Sequence, residues 1–366
     1  MTAPIDLVAG ARPNFIKLAP VERALRAHGE VRCRIVHTGQ HYDAGMNGVF
    51  FDQLNIPRPE VHLEVGSGSH GAQTARILER YEEHLMANRP AATVVFGDVN
   101  STVACALAAV KLGVPVAHVE AGLRSFDRTM PEEVNRILTD AIADLLLVSE
   151  PSGVENLRRE GLPEGKIRLV GNVMIDTLLA EIEEARNLRM AERFGLTAGG
   201  YGLITLHRPS NVDDAGTLSR LLHLFVTFSR RLPLVLPLHP RTAAAAERAG
   251  LMELLHSEPG LRVIHPLPYR ENLGLMASAK LVLTDSGGIQ EETSVLRVPC
   301  LTLRDNTERP VTLTQGTSRL VGNDVDRIAA AFEEALSGQW PAGGPIPLWD
   351  GHAGERIAHA LVEWVV

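Results

Sequence analysis

The sequence predicts an α/β fold built from two doubly wound domains. Short apolar runs alternate along the whole chain with longer helical patterns, as the strands and crossover helices of parallel sheets do. At 366 residues the chain exceeds the usual size of one hydrophobic core, which favours two domains. The segments after the apolar runs are polar and often carry glycine, and such folds bind ligands beyond the carboxyl ends of their strands.

In chain order, the first half supplies strands at Ile5–Ala9, Cys33–Thr38, Thr93–Phe96, Val116–Val119, Leu145–Val148 and Ile167–Val170. The second half supplies Gly202–Leu206, Leu234–Leu238, Val263–Ile264, Leu281–Thr284, Cys300–Leu303 and Arg319–Val321, with helical patterns such as Leu218–Phe228 between them. The expected division is 1–171 and 172–349, with the charged stretch Glu181–Arg193 and Thr197-Ala198-Gly199-Gly200 as linker. Strand ends carry Gly10-Ala11-Arg12-Pro13, Gly97-Asp98-Val99-Asn100, Glu120-Ala121-Gly122, His207-Arg208-Pro209, His239-Pro240-Arg241 and Asp285-Ser286-Gly287. A central cleft faced by both domains is the expected consequence.

The most informative stretch is Leu281–Glu292, where an apolar strand runs through Asp285-Ser286-Gly287-Gly288 into a helix start. Adjacent glycines let backbone approach a ligand, and the first-turn N–H groups of a helix attract an anion such as phosphate. Glu292, about one turn further, is placed to accept hydrogen bonds from a ribose. Together these features suggest a nucleotide.

Composition narrows the classes. Hydrophobic residues at 45% and charged residues at 22% describe a soluble globular protein, and a net charge of −8 argues against a general nucleic-acid binder. Cys33, Cys105 and Cys300 are far apart and lack CxxC spacing, so neither a disulfide framework nor structural zinc is signalled, and a reducing cytoplasm fits. No basic leader and no apolar run of membrane-spanning length are present, so the chain is expected to be soluble and unexported. Gly66-Ser67-Gly68-Ser69-His70-Gly71 matches GxGxxG, but it is not in the first strand-helix turn and lacks a following acidic partner, so it is expected to be a flexible polar loop. Four residues after Tyr42, Tyr81, Tyr201 and Tyr269 come Met46, Leu85, Thr205 and Leu273, so no Tyr-x-x-x-Lys pair of nicotinamide-dependent sugar epimerases exists. No GxxxxGK[ST] or HExxH occurs either, so no cofactor and no metal are expected to be required.

Gly10-Ala11-Arg12-Pro13-Asn14-Phe15-Ile16-Lys17, Thr38-Gly39-Gln40-His41, Gly97-Asp98-Val99-Asn100-Ser101-Thr102, His118-Val119-Glu120-Ala121-Gly122-Leu123-Arg124, Pro131-Glu132-Glu133, Asp285–Glu292 and Thr307-Glu308-Arg309-Pro310 stand in this order. Together they resemble the non-hydrolysing UDP-N-acetylglucosamine 2-epimerases over residues 5–322. The resemblance implies two Rossmann-like domains in the glycosyltransferase-B arrangement, a UDP-sugar substrate, no nicotinamide and a homodimer. It also implies that a C-terminal helix, about 350–366, returns to the first domain.

The family reaction interconverts UDP-N-acetylglucosamine and UDP-N-acetylmannosamine. The proton at sugar C2 has no adjacent carbonyl to acidify it, but loss of UDP from C1 builds positive character next door. UDP leaves to give a 2-acetamidoglucal, and readdition with proton delivery from the other face inverts C2. Such chemistry needs a cradle for diphosphate and carboxyl groups near C2. By resemblance, Asp98, Glu120 and Glu132 are the acid–base carboxylates; otherwise Asp98 would read as a helix cap and Glu132 as a first-turn carboxylate. His207 is grouped with these three as catalytic, while Arg12, Lys17, Arg208, Arg309 and the Ser286-Gly287-Gly288 turn are substrate contacts, with Glu292 on the ribose. Gln40, His239 and Arg241 are expected as supporting or closure contacts.

Three departures stand out from the better-known bacterial branch. Pro209-Ser210-Asn211 stands for a common Arg-Glu-Asn, Asn14 for Glu, and Ser69-His70 for Arg-Gln. They weaken the carry-over of the family's allosteric substrate site. They also leave room for a modified substrate such as UDP-2,3-diacetamido-2,3-dideoxyglucuronate. A glycosyltransferase of the same architecture and a catalytically silent nucleotide-sugar sensor are further alternatives, and the three carboxylates argue against both.

Overall fold

A computed structural model describes residues 3–40 and 51–365; His41, Tyr42 and Met46 lie outside this range. The chain divides into two compact units, Met1–Ala180 with Pro347–Val366, and Glu181–Ile346. The division falls inside the helix Val173–Asn187, whose buried residues Val173, Ile175 and Leu178 precede it.

Unit 1 holds β1 (Ile5–Ala9), β2 (Cys33–His37), β3 (Val61–His62), β4 (Ala92–Phe96), β5 (Val116–Ala121), β6 (Leu145–Val148) and β7 (Ile167–Leu169). They form one parallel sheet in the order β3-β2-β1-β4-β5-β6-β7. Register sets Val8 beside Val36 and Val95. Helices cover the sheet, so β1, β4 and β6 are buried along their whole length, which explains their mainly apolar sequences, broken by buried Asp6 in β1 and Thr93 in β4. Ile77, Tyr81 and Leu85 of the helix His70–Ala87 pack into this core with Ala104, Ala108 and Leu146. The helix Ala353–Val365 belongs to unit 1: Asp176 accepts its first N–H groups, from Ala353 at 3.1 Å and Gly354 at 2.6 Å. Gly354 lies so close to Pro20 that an added Cβ would sit 2.9 Å from the proline carbonyl.

Unit 2 holds β8 (Gly202–Thr205), β9 (Leu234–Pro237), β10 (Leu261–Ile264), β11 (Leu281–Thr284), β12 (Cys300–Thr302) and β13 (Ser318–Leu320), parallel in the order β10-β9-β8-β11-β12-β13. Leu218, Leu221, Leu222 and Phe225 of the helix Ala215–Ser229 meet Phe332 of the helix Val325–Leu336 in its core. The Phe228 and Phe332 rings stack with centroids 3.9 Å apart.

Several expected strands end one residue early. Thr38, Val170, Leu238, Leu303 and Val321 still donate one ladder-like bond, at 2.8–3.0 Å, as the chain turns away from the sheet. β3 escaped the sequence pattern because two residues make no apolar run. The stretch expected as linker is packed onto unit 2: Met190 and Ala191 are buried, and Gly274 abuts the Ala185 carbonyl. The GxGxxG segment is a loop, but a tethered one. Arg76 Nη2 donates to the Ser67 carbonyl at 2.9 Å and Gln73 Nε2 to that of Gly66 at 3.0 Å, and a helix begins at His70. Among the described residues no helix is long and apolar enough to cross a membrane.

Candidate active site

In unit 1 the strand order reverses between β1 and β4, the point where doubly wound sheets open a crevice at their carboxyl ends. Gly10 follows β1 there, packed so tightly on Ser101 Oγ and Thr38 Oγ1 that no side chain fits. The helix Arg12–His28 then begins, with Arg12 partly exposed as its first residue. Asn14 knits the turn together. Its Oδ1 accepts Gly10 N–H at 3.2 Å and Ala11 N–H at 3.1 Å, and its Nδ2 donates to the Phe96 carbonyl at the end of β4 at 2.9 Å.

One helical turn on, buried Lys17 forms an ion pair with Glu120. Gly97, at φ 63°, sits under this pair: a Cβ there would lie 2.9 Å from Lys17 Nζ and 3.4 Å from Glu120 Oε2. Lys17, Glu120 and the turn that carries Asp98 are therefore one cluster. Glu120 itself has φ 73°, a left-handed conformation that costs a non-glycine residue about 1–3 kcal/mol. The β5–β6 register shifts between Val119 and Ala121, so Glu120 is the bulged residue, turned from its ordinary strand direction.

A buried network holds both turns. Asp140 accepts from the Gly122 N–H at 3.0 Å, pairs with Arg124 at 2.7 Å, and bonds His118 Nδ1 at 2.6 Å; His118 Nε2 in turn meets the Gly97 carbonyl at 2.8 Å. Burial alone would raise the Asp140 carboxyl, but His118 and Arg124 outweigh it and hold it below its ordinary value.

Asp98 is not the cap of the next helix. Val99 takes that position, and the Asp98 carboxylate, with its side chain 27% exposed, pairs with Arg136. Glu132 lies in the first turn of the helix Pro131–Ile142 and is half-buried, while its neighbour Glu133 is fully buried. Gln40 is a support: its Oε1 accepts the Ser101 N–H at 3.1 Å and hydroxyl at 2.7 Å, fixing the first turn of the helix after Asp98.

Unit 2 repeats the plan, its strand order reversing between β8 and β11. Asp285, buried at the end of β11, accepts the backbone N–H groups of His207 at 2.9 Å and Arg208 at 2.8 Å, and bonds His207 Nδ1 at 3.0 Å. Burial pushes the Asp285 carboxyl up, but the His207 contacts and these N–H donors hold it below its ordinary value. His207 is thus oriented by a carboxylate, with its ring partly exposed and 5.3 Å from that of His239. His239 is an exposed helix cap, and Arg241 pairs with Asp213.

The helix Gly287–Leu296 starts at the Ser286 turn with no side-chain cap, and the first-turn N–H groups of a helix suit an anion. Gly288 is half-buried. Gly287 is required for closeness: an added Cβ would lie 2.7 Å from Arg309 Nη1 and 2.8 Å from Glu308 Oε1. Arg309 is placed beneath that turn, 5% exposed, with Nε 2.7 Å from Glu291 and Nη1 on Glu308. Glu308 in turn pairs with Arg304 at 2.7 Å. Glu292 accepts from the Tyr269 hydroxyl at 2.9 Å, and burial pushes its carboxyl up to about 7, against that hydrogen bond and with help from Glu291.

The sequence pattern alone assigns no role to the supporting charges Glu133, Arg136, Asp140, Asp285, Glu291 and Glu308. The Glu133–Arg136 spacing of three within a helix was an available signal.

The UDP-N-acetylglucosamine 2-epimerase family model matches residues 23–362. The chain belongs to this family. A UDP-N-acetylglucosamine 2-epimerase of Methanocaldococcus jannaschii is 41% identical over 366 residues, covering 98% of each chain. A crystal structure of that organism's UDP-GlcNAc 2-epimerase in complex with UDP-GlcNAc and UDP superposes with TM-score 0.92 at 41% identity, covering 98% of this chain and 99% of that one. A UDP-2,3-diacetamido-2,3-dideoxy-D-glucuronate 2-epimerase of Pseudomonas aeruginosa is also 41% identical, over 360 residues, 97% of this chain and 98% of its own.

Proposed function

We propose that this family member is an isomerase that inverts C2 of UDP-N-acetylglucosamine, reversibly forming UDP-N-acetylmannosamine without an added cofactor. The observation that carries the reading is the grouping of Lys17, Glu120 and the Asp98 turn around Gly97, with Glu120 aimed by a strained bulge. Strain of that kind persists where the surrounding structure holds a side chain for use.

In this reading unit 2 takes the nucleotide, with diphosphate at the Ser286-Gly287-Gly288 turn and ribose at Glu292, while unit 1 supplies the proton-transfer groups. The C1–O bond breaks with its electron pair leaving on UDP, a carboxylate takes the C2 proton, and the C1=C2 bond of a 2-acetamidoglucal forms. A diphosphate oxygen of UDP then re-adds to C1 as a second acid delivers a proton to the opposite face of C2. His207, held by Asp285, and the uncapped helix start stabilise the departing charge. Arg12 and Arg208, both partly exposed at strand ends, are further diphosphate contacts. Like its family, the protein is expected to work as a cytoplasmic homodimer.

Incubation with UDP-N-acetylglucosamine alone, followed by the anomeric proton signals, tests the reading: a second anomeric signal for the manno epimer is expected, and its absence refutes it. The similarity to the Pseudomonas aeruginosa enzyme supports one second reading, action on the 3-acetamido uronate analogue. A parallel incubation with that sugar ranks the two by kcat/KM.

A further inference from the structure

Arg136 is 2% exposed, and its two terminal nitrogens go to different carboxylates, Nη1 to Glu133 and Nη2 to Asp98. Glu133 is immobilised first. It accepts the Ser125 N–H and hydroxyl, each at 2.9 Å, and the Phe126 N–H at 2.9 Å, all from the loop that leaves Glu120. Phe126 is held by this clamp at φ 59°. A guanidinium is planar and rigid, so fixing one prong fixes the other. The next residue back, Asn135, donates to the Asp98 carbonyl at 2.9 Å, and His118 holds the carbonyl of Gly97. Asp98 is therefore fixed at its carboxylate, at its own carbonyl and at the carbonyl before it.

We propose that Arg136 is a positioning residue that aims the Asp98 carboxylate, and that Glu133 shares its charge so that Asp98 remains able to exchange a proton. A guanidinium shared between two carboxylates leaves a net negative charge on the trio, whereas a one-to-one pair would hold Asp98 as a poor base. The loop from Glu120 through Phe126 and the turn of Asp98 are joined through this trio, so the two carboxylates keep a common frame. The inference rests on the epimerase reading. Among the described residues, charged and titratable groups on the elements around Asp98 include Glu132 on the same helix as Arg136, Lys17 and Glu120 across Gly97, His118 behind Gly97, and His70, which meets Asn100 at 3.3 Å.

The test compares Arg136→Ala, Arg136→Lys and Glu133→Gln with wild type, whose own turnover of UDP-N-acetylglucosamine is measured first; wild-type inactivity would sink the functional reading and this inference with it, whereas an active wild type with unaffected variants would sink this inference alone. Arg136→Ala is expected to lower kcat by roughly a hundredfold while the UDP Kd stays within about twofold, and Arg136→Lys to fall between it and wild type. Guanidinium chloride at millimolar concentration should restore part of the alanine variant's kcat, and urea, its uncharged isostere, should not. The acid limb of the kcat profile should move to higher pH in Arg136→Ala, where Asp98 loses its cation, and by less in Arg136→Lys, whose single ammonium cannot hold both carboxylates as the guanidinium does. It should move to lower pH in Glu133→Gln, where Arg136 serves Asp98 alone. Should the alanine variant fail to fold, the opposite shifts of Arg136→Lys and Glu133→Gln still decide. Unchanged kcat in the Arg136 variants, rescue by urea as effective as by guanidinium, or acid limbs that do not separate would overturn the assignment.

Discussion

Replacing Glu292 by Gln should make nucleotide binding and stability respond to pH in opposite senses. The Glu292 carboxyl is buried and raised to about 7, with only the Tyr269 hydroxyl favouring its charged form. An unfolded glutamate titrates near 4.3. The folded value lies above the unfolded one, so this group's contribution to stability is fully present below about pH 4.3 and is lost as pH rises through about 7. From the rise of the folded value to about 7 over the ordinary 4.5, the loss amounts to roughly 3 kcal/mol at pH 8. Glutamine never charges, so the Tm of Glu292→Gln should gain on that of wild type as pH rises from 5 to 8. Binding runs the other way. If ribose hydroxyls donate to Glu292, they need the carboxylate, and the charge-assisted bonds should favour wild type over the variant by about 1.5 to 3 kcal/mol at pH 8. Below pH 7 that advantage should shrink roughly tenfold per pH unit as wild type takes up its proton. Calorimetric titration of both proteins with UDP from pH 5.5 to 8.5 measures the ratio of their Kd values, in which the titration of UDP itself cancels. A ratio that does not change with pH would refute a ribose contact through the Glu292 carboxylate, and parallel Tm curves would refute its raised proton affinity.

Product formed in heavy water should carry deuterium at C2, seen as loss of the C2 proton signal; retention of the original hydrogen would rule out elimination and readdition. Asp98→Asn, Glu120→Gln and Glu132→Gln should each bind UDP nearly as wild type does and lose most turnover, with single-turnover assays showing which variant releases glycal without completing inversion. Arg309→Ala should lower thermal stability by about 3 to 5 kcal/mol, since buried Glu291 would lose the Arg309 cation while Glu308 kept its pair with Arg304, and weaken UDP binding through the loosened Gly287 turn; denaturant unfolding and calorimetry check the two effects. Dialysed, chelator-treated enzyme should keep full activity, and restoration by NAD or a divalent ion would count against the cofactor-free route.

The sheets were legible because their central strands are buried on both faces and written mainly in apolar residues, as at Leu145–Val148 and Leu281–Leu283. β3 was not, since two residues on an edge carry no pattern. The site splits in the same way. Glycine turns at strand ends announce where backbone must come close, and Gly97 and Gly287 are each crowded by the charged groups of their own unit. What sequence order conceals is which charges meet across the fold. Asp98 and Arg136 are 38 residues apart, and His207 and its carboxylate Asp285 are 78 apart. Neither separation has a local signature.

The hidden partners share one physical role. Of the proposed acid–base carboxylates, Asp98 and Glu132 stay partly exposed, whereas Glu120 is buried against Lys17. A side chain that is half in water is poorly fixed unless something buried holds it. Here the holding groups are the fully buried ones: Glu133 locks Arg136 behind Asp98, Asp140 locks His118 behind Gly97, and Asp285 locks His207. Each anchor is an acid whose oxygens accept backbone N–H groups, so the protein can bury that charge without leaving it unsatisfied. The lost hydration is replaced by donors that cannot move. The reactive groups then inherit their direction from backbone geometry, and that is why the residues that aim the site are more buried than the residues proposed to do its chemistry.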